Sequence, residues 1–420
     1  MFVWFYNAIQ ILIALAFLPR LLKSSFRSSV FSYLGFRLPP RRTTKERCFL
    51  FYAVSVGETK AARPLFDKMK SQYPDASFYI ASRTKMGHEE AKRSLLDAAY
   101  YFFLPIDFSW VMKNLIRRIN PTMVIVIESD LWFNFLNEAK KSGILTVLVN
   151  ARISDRSYTR FRLVPAISRK LFSLFDFIFA QNALFQKRFV ELGVDFSKVF
   201  ASGNLKEEII HQTLSLEEKI LLKDKMGFQK EDFVLVLAST HGPEEKAFLT
   251  LLKPLFLSMP SLKVLLVPRH PERVDVVESV LRDLHVSYAL YSSIASKSGL
   301  ESVVLVDAVG LLVDLYQIAD LAVVCGSFYP SLKGHNILEP IQVGASVFFG
   351  PYMSDQVDFL DKVVLYEAGK QTSLESFLID FQWFIANKSV FKPGVDRLLL
   401  SLQTPSRSII NLFNEFVGKI

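Results

Sequence analysis

The 420-residue chain carries 50 Lys and Arg against 41 Asp and Glu, a formal charge of +9, and half of its residues are hydrophobic. A chain this apolar can bury a large core, which excludes a disordered or low-complexity protein. Its length exceeds the roughly 250–300 residues at which a single core stops growing, so two or more domains are expected. Two cysteines, Cys48 and Cys325, exclude a disulfide framework and a Cys-rich zinc domain, and six histidines without a helical i,i+3 or i,i+4 pair argue against a helical metal site.

In chain order, the first predicted element is an uncharged stretch, residues 1–19. Residues 20–47 then hold eight basic residues against Glu46, so +7 of the +9 lies in the first 47 residues. The stretch approaches the about 20 residues that span a bilayer. Trp4 and Tyr6 suit an interfacial belt, and the basic block suits a cytoplasmic flank. A cleaved signal peptide would carry a charged start and a small-residue cleavage site, and neither is present. Only Asn7 and Gln10 interrupt the apolar run. We therefore expect a membrane anchor at 1–22, with a half-inserted monotopic helix as the alternative, and a basic juxtamembrane segment at 23–47.

From residue 48 the chain alternates strand and helix. Strands are expected at 48–54, 77–82, 123–128, 144–150 and 175–180, with helices such as 59–71 and 133–142 between them. After the polar segment 206–231 the pattern restarts, with strands at 233–240, 262–268, 302–307, 320–326 and 346–350. Near-continuous apolar strands alternating with helices indicate parallel sheets covered on both faces. The expected fold is α/β, with two Rossmann-like doubly wound domains, 48–207 and 208–390, facing a cleft, followed by C-terminal helices at 391–420. Ligands in such sheets bind beyond the C-terminal ends of the strands.

Six motifs lie at those ends. Ser55-Val56-Gly57-Glu58 follows the first strand. Gly57 permits a tight turn and close approach of a ligand, and Glu58 is either a general base or a helix-start acid favoured by the dipole. Glu128 and Asp130 close an apolar strand; Asp130 reads as a helix cap, whereas an ionisable Glu128 at a buried strand end needs a partner. Residues 152–170 carry Arg152, Arg156, Arg160, Arg162, Arg169 and Lys170 against Asp155 alone. Nucleic-acid binding would want more basic stripes with stacking aromatics. One compact patch suits an anionic lipid head group or its phosphates, or else a solvated face. Lys206, in Gly203-Asn204-Leu205-Lys206, is a point charge at the domain junction or a surface lysine. Pro268-Arg269-His270-Pro271 presents Arg269 to a phosphate or carboxylate; His270 is given no role. In Gly334-His335-Asn336-Ile337-Leu338-Glu339-Pro340, Asn336 is a helix cap beside N–H groups able to bind phosphate, and Glu339 is a capping acid or a ribose ligand.

Together these residues resemble the 3-deoxy-D-manno-octulosonic acid (Kdo) transferase family of lipopolysaccharide biosynthesis. The matching segments are AVSVGE (53–58), IESDLWFN (127–134), LVNARISDRS (148–157), SGNLK (202–206), LASTHGPEE (237–245), VPRHPER (267–273) and GSFYPSLKGHNILEP (326–340). They follow the family's order across most of residues 50–360. The resemblance implies a GT-B inverting glycosyltransferase that moves Kdo, once or more, from CMP-Kdo to a lipid A precursor, without metal or cofactor. It implies a cytoplasmic catalytic body anchored at the inner membrane, with inner-membrane lipids and no nucleic acid as partners.

By motif match, Glu58 is the general base, and Glu128 and Lys206 stabilise the transition state. Pro268, Arg269, Val309, Gly310, Leu311, Asn336, Ile337, Leu338 and Glu339 bind the CMP moiety. Ser55 and Gly57, with Arg152, Arg156, Arg160 and Arg162, are candidates for the acceptor side. Departures from the family pattern fall at Asp130, Phe133, Leu311, Cys325 and Ile337; at Leu311 only a backbone contact carries over. The alternatives are another nucleotide-sugar enzyme of the same fold, such as a lipid A disaccharide synthase or an epimerase, and a membrane-anchored binding protein without catalysis. The oligomeric state is open.

Overall fold

The computed structural model describes residues 3–4, 6–8, 10–12, 31–44, 46–128, 131–209, 211–296 and 301–417. The chain forms two compact units, residues 1–209 with 403–420, and residues 210–402.

The first unit is built on strands β1 (Cys48–Tyr52), β2 (Ser77–Ser82), β3 (Tyr100–Phe103), β4 (Met123–Ile127), β5 (Leu145–Ala151), β6 (Phe177–Ala180) and β7 (Val199–Ala201). They form a seven-stranded sheet in the order β3-β2-β1-β4-β5-β6-β7, with every neighbouring pair parallel. The sequence explains the centre of this sheet. The β1 and β4 runs CFLFY and MVIVI are buried along their whole length, because helices cover both faces and leave no solvent side for a polar alternation. The tail completes this unit. Helix Pro405–Val417 sets Ile409, Ile410 and Phe413 into the core that holds Phe51, Phe66 and Phe179.

The second unit repeats the plan with β8 (Phe233–Thr240), β9 (Leu262–Pro268), β10 (Tyr288–Leu290), β11 (Val303–Leu305), β12 (Leu321–Val324), β13 (Val347–Phe349) and β14 (Gly369–Gln371). Their order is β10-β11-β9-β8-β12-β13-β14, again parallel throughout. Each sheet winds outward from its first strand and then crosses back to that strand's other side. The resulting switch points lie between β1 and β4 and between β8 and β12. A crevice opens at such a point beyond the carboxyl ends of the strands.

All ten strands expected from the sequence form. The four that were not expected, β3, β7, β10 and β14, are the four sheet edges. They are short and partly exposed, so they lack the continuous apolar run by which the inner strands were recognised.

Residues 13–30, and with them much of the expected anchor, lie outside the described residues. Among the described residues no helix is long and apolar enough to cross a membrane. The described part of 3–12 is helical, and Asn7 and Gln10, which looked like mere interruptions of an apolar run, are buried. Asn7 donates to Ser109 Oγ at 2.9 Å and accepts from Asn134 Nδ2 at 2.8 Å. Beneath it, the buried Asp107 carboxylate accepts the Asn134 and Phe135 N–H groups, both at 2.8 Å. Burial outweighs these bonds and pushes its carboxyl up to about 6.

Candidate active site

The first switch point is built by the loops after β1 and β4. Helix Val56–Gln72 begins at Ser55, whose Oγ accepts the Glu58 N–H at 3.4 Å. The Glu58 carboxylate turns back and accepts the Val54 N–H at 2.6 Å. The capping and base readings of Glu58 are therefore compatible, since the cap fixes one oxygen and orients the carboxylate. Gly57 is not required by a tight turn. It sits in the first helical turn, and a Cβ there would meet only Ser55 Oγ, at 3.9 Å. The glycine that the local packing does demand is Gly87, where a Cβ would lie 2.6 Å from Val54 O. Thr84 Oγ1 donates to the same carbonyl at 2.8 Å, so the start of helix Lys85–Ser94 clamps the Glu58 loop.

After β4 the chain places Glu128 at φ 65°, and after the body of neighbouring β5 it places Asn150 at φ 56°. Left-handed non-glycine residues at adjacent strand ends store strain, which concentrates at functional sites. Glu128 has the partner its position requires: Lys206 Nζ lies 2.6 Å from Glu128 Oε1. Asn150 Nδ2 donates to the same oxygen at 3.3 Å, and its Oδ1 accepts the Leu205 N–H at 2.9 Å. Thus Asn150 ties the lysine's loop to the carboxylate. Asn150 belongs to the segment LVNARISDRS (148–157), but its role depends on a neighbour 55 positions away. Arg83, at the end of β2, stacks its guanidinium 3.9 Å above Trp132 and adds a cation at this rim. Ser129 and Asp130 lie outside the described residues.

Lys206→Ala alone is expected to cost about 3 kcal/mol, because it strands a nearly buried carboxylate. Adding Glu128→Gln should recover more than half of that loss. Hydrogen exchange of β4 and β5 amides in the double-mutant cycle measures both.

Of the basic candidates, Arg152 is half-buried. Arg156, Arg160 and Arg162 are exposed on helix Asp155–Leu163, which buries no residue at all.

The second switch point gathers more than the sequence suggested. Helix Gly242–Ser258 opens with two acids that are fully buried, Glu244 and Glu245. Glu244 accepts the N–H groups of His241, Gly326, Ser327 and Phe328 at 3.1, 2.8, 3.2 and 3.2 Å. Burial still raises its pKa above the ordinary carboxylate value. Glu245 holds Arg273 through two bonds of 2.8 and 2.9 Å and accepts from Thr240 Oγ1. The THGPEE and PRHPER motifs are therefore a single ion-paired frame. Its signal was present as paired acids opening an apolar helix.

On this frame His241 and His335 stack, with Nε2 atoms 2.9 Å apart, and His270 meets His241 edge-on. Three histidines distant in sequence thus converge. Gly326, at φ 72°, has no room for a Cβ, which would fall 2.4 Å from the His335 ring. Arg269 is exposed beside them, and its charge, after burial, depresses His335 to about 4. His241 is lowered as well, mainly by burial and then by His270, Arg273 and Arg269.

A histidine depressed in the folded state contributes stability above its unfolded pKa of about 6.5. That contribution is lost as pH falls through the folded value. Amides of Gly326–Gly334 are therefore expected to lose exchange protection between pH 6.5 and about 4, and His335→Gln should flatten the dependence.

The remaining donor candidates surround this frame. Asn336 Oδ1 accepts the Leu338 N–H at 3.0 Å, but helix Leu338–Gln342 has five residues, too short for a strong dipole. Ile337, Leu338 and Pro268 are buried. Glu339 is half-buried and acts electrostatically on the buried Tyr316 hydroxyl. Val309 is exposed, Gly310 takes φ 86°, and Leu311 packs its side chain against the core. Both cysteines are buried with raised pKa values, so neither thiol is activated. Among the described residues no group of three or more His, Cys, Asp or Glu is placed to hold a metal ion.

This geometry can be set against known proteins. Residues 31–209 match the family model described as 3-deoxy-D-manno-octulosonic-acid transferase (kdotransferase). The chain is 34% identical over 371 residues to the 3-deoxy-D-manno-octulosonic acid transferase of Chlamydophila psittaci, covering 87% of this chain and 84% of that protein. The chain belongs to the Kdo transferase family. It is 32% identical to the Haemophilus influenzae 3-deoxy-D-manno-octulosonic acid transferase over 72% of this chain and 70% of that protein. Membership makes it a glycosyltransferase enzyme of lipopolysaccharide biosynthesis. Among solved structures, a Neisseria meningitidis UDP-GlcNAc 2-epimerase aligns with a TM-score of 0.61 over 88% of this chain and 100% of that chain, at 14% identity. That likeness shows a shared two-domain α/β fold. Chemistry varies freely on such a fold.

Proposed function

We propose that this Kdo transferase uses CMP-Kdo as donor and a lipid A precursor as acceptor, adding one Kdo or more, with inversion and without metal or cofactor. The observation that supports it best is the placing of the family's motifs at the two switch points, with an oriented carboxylate and an acid–lysine pair at one and a cation-rich histidine frame at the other.

In this reading an acceptor hydroxyl oxygen attacks the anomeric carbon of Kdo. The bond from that carbon to the CMP phosphate oxygen breaks, and CMP departs with the electron pair. Glu58 takes the hydroxyl proton as general base. The base lies in the first unit and the CMP-binding elements in the second, so both are needed for turnover. Arg269, exposed at the end of β9, meets the phosphate. Pro268, Val309, Gly310, Leu311 and Asn336 to Glu339 complete the CMP site. Lys206, held by Glu128, offers its charge to the transition state. Ser55, Gly57 and the exposed Arg156, Arg160 and Arg162, with Arg152, receive the phosphorylated, acylated acceptor. The charge of residues 20–47 supports a cytoplasmic body at the inner membrane.

Titration calorimetry tests the donor. CMP is expected to bind at least about tenfold tighter than UDP, and Arg269→Ala should weaken CMP by a similar factor. Tighter UDP binding would favour the epimerase-like alternative.

A further inference from the structure

Arg83 follows β2 directly and belongs to none of the motifs that marked the site. Strand β1 lies between β2 and β4 in the sheet. With neighbouring strands about 4.8 Å apart, the ends of β2 and β4 are about 10 Å from each other, and the β1 loop that carries Glu58 lies between them. The half-buried Arg83 side chain crosses that distance and lays its guanidinium 3.9 Å above the ring of Trp132, beyond β4. The next residue, Thr84, holds the Glu58 loop itself. Its N–H and Oγ1 both donate to Val54 O, at 3.2 and 2.8 Å.

The backbone at this arginine is braced. The Tyr33 hydroxyl donates to Arg83 O. Tyr33 packs on Phe103 at 5.3 Å, and Phe103 stacks on His88 at 4.3 Å. The charge itself has no such commitment. Lys206 is paired with Glu128, whereas the Arg83 guanidinium shows no hydrogen bond or ion pair among the described residues. Burial raises the pKa values of Asp107 and Tyr33, and the Arg83 charge draws both back only in part, without a bond to either. A guanidinium stacked by its face keeps its N–H donors in the plane, at the edge, in the fork that fits a carboxylate or a phosphate.

We propose that Arg83, braced by Trp132, is an anion-binding residue of the first unit and pairs through its free edge with a phosphate or carboxylate of a substrate bound beside Glu58. The phosphorylated acceptor and the sugar acid of the donor are the two sources of such a group. This rests on the reading of Glu58 as base and of the first unit as the acceptor side.

Titration calorimetry of the full-length protein in detergent separates the sources. The probes are a tetra-acylated lipid A precursor with two phosphates, its two monophosphoryl forms, CMP-Kdo and CMP. Arg83→Met keeps the stem packed and removes the charge. If the anion is an acceptor phosphate, Arg83→Met should weaken the bisphosphoryl precursor about tenfold or more and leave one monophosphoryl form within about twofold. If it is the donor carboxylate, CMP-Kdo should weaken about tenfold while CMP and all precursor forms stay unchanged. In either case Arg83→Lys should fall between wild type and Arg83→Met, since an ammonium keeps the charge but loses the fork and the stack. Affinities for the bisphosphoryl precursor and for CMP-Kdo both within about twofold of wild type in Arg83→Met would overturn the proposal and leave the arginine as a brace for Trp132, whatever happens to the Tm. A wild-type protein that binds these probes without transferring Kdo would count against the proposed chemistry, and the binding comparison would still decide the role of Arg83.

Discussion

Glu58→Gln is expected to lower kcat by about 100-fold or more, in the range typical of a lost general base. The substitution is informative because it leaves the local structure in place. Glutamine keeps an oxygen able to accept the Val54 N–H that the carboxylate now accepts at 2.6 Å. The helix start at Ser55 and the clamp from Thr84 and Gly87 remain. The CMP-binding candidates belong to the other unit, so CMP affinity should stay within about twofold, placing the defect in the chemical step. Single-turnover kinetics with calorimetry on the same preparation separates the two quantities. Near-normal turnover would remove Glu58 from the mechanism and leave it as a helix cap.

The second large effect is expected at Glu244. Its carboxylate is fully buried and holds four backbone N–H groups, three of them from Gly326, Ser327 and Phe328. Glutamine would turn an NH2 group toward some of those donors. The expected local loss is about 3–5 kcal/mol, since bonds to a charged acceptor are worth about 1.5–3 kcal/mol each and do not add fully. Amide exchange at Gly326–Phe328 should rise accordingly. CMP affinity should fall about tenfold or more, because the frame carrying His335 and Asn336 loosens. Affinity and protection both unchanged in Glu244→Gln would show that the frame is not what shapes the donor site.

The fold was legible in the sequence where burial is complete. The runs 77–82, 233–240 and 262–268 match their strands residue for residue, because a strand covered on both faces is mostly apolar along its length. It was not legible at the edges, where GKQ of β14 pairs in parallel with β13 without an apolar run of its own. The site divides in the same way. Glu128 declared its need for a partner, since a charge at a buried strand end cannot stand alone. Nothing local named that partner as Lys206 or joined it to Asn150. His241 and His335 lie 94 positions apart and meet only because β8 and β12 are neighbours. Spacing within a motif reports on one loop, whereas a switch-point site is assembled from the ends of several strands.

The central claim is that this chain transfers Kdo from a CMP-activated donor to a lipid acceptor, using Glu58 as base. The most direct measurement is an in vitro reaction with CMP-Kdo and a tetra-acylated lipid A precursor, with products resolved by mass, in wild-type and Glu58→Gln protein. The account predicts acceptor mass increments of whole Kdo units in the wild type and little or none in the variant. An unmodified acceptor in the wild type, or equal product in both proteins, would contradict it.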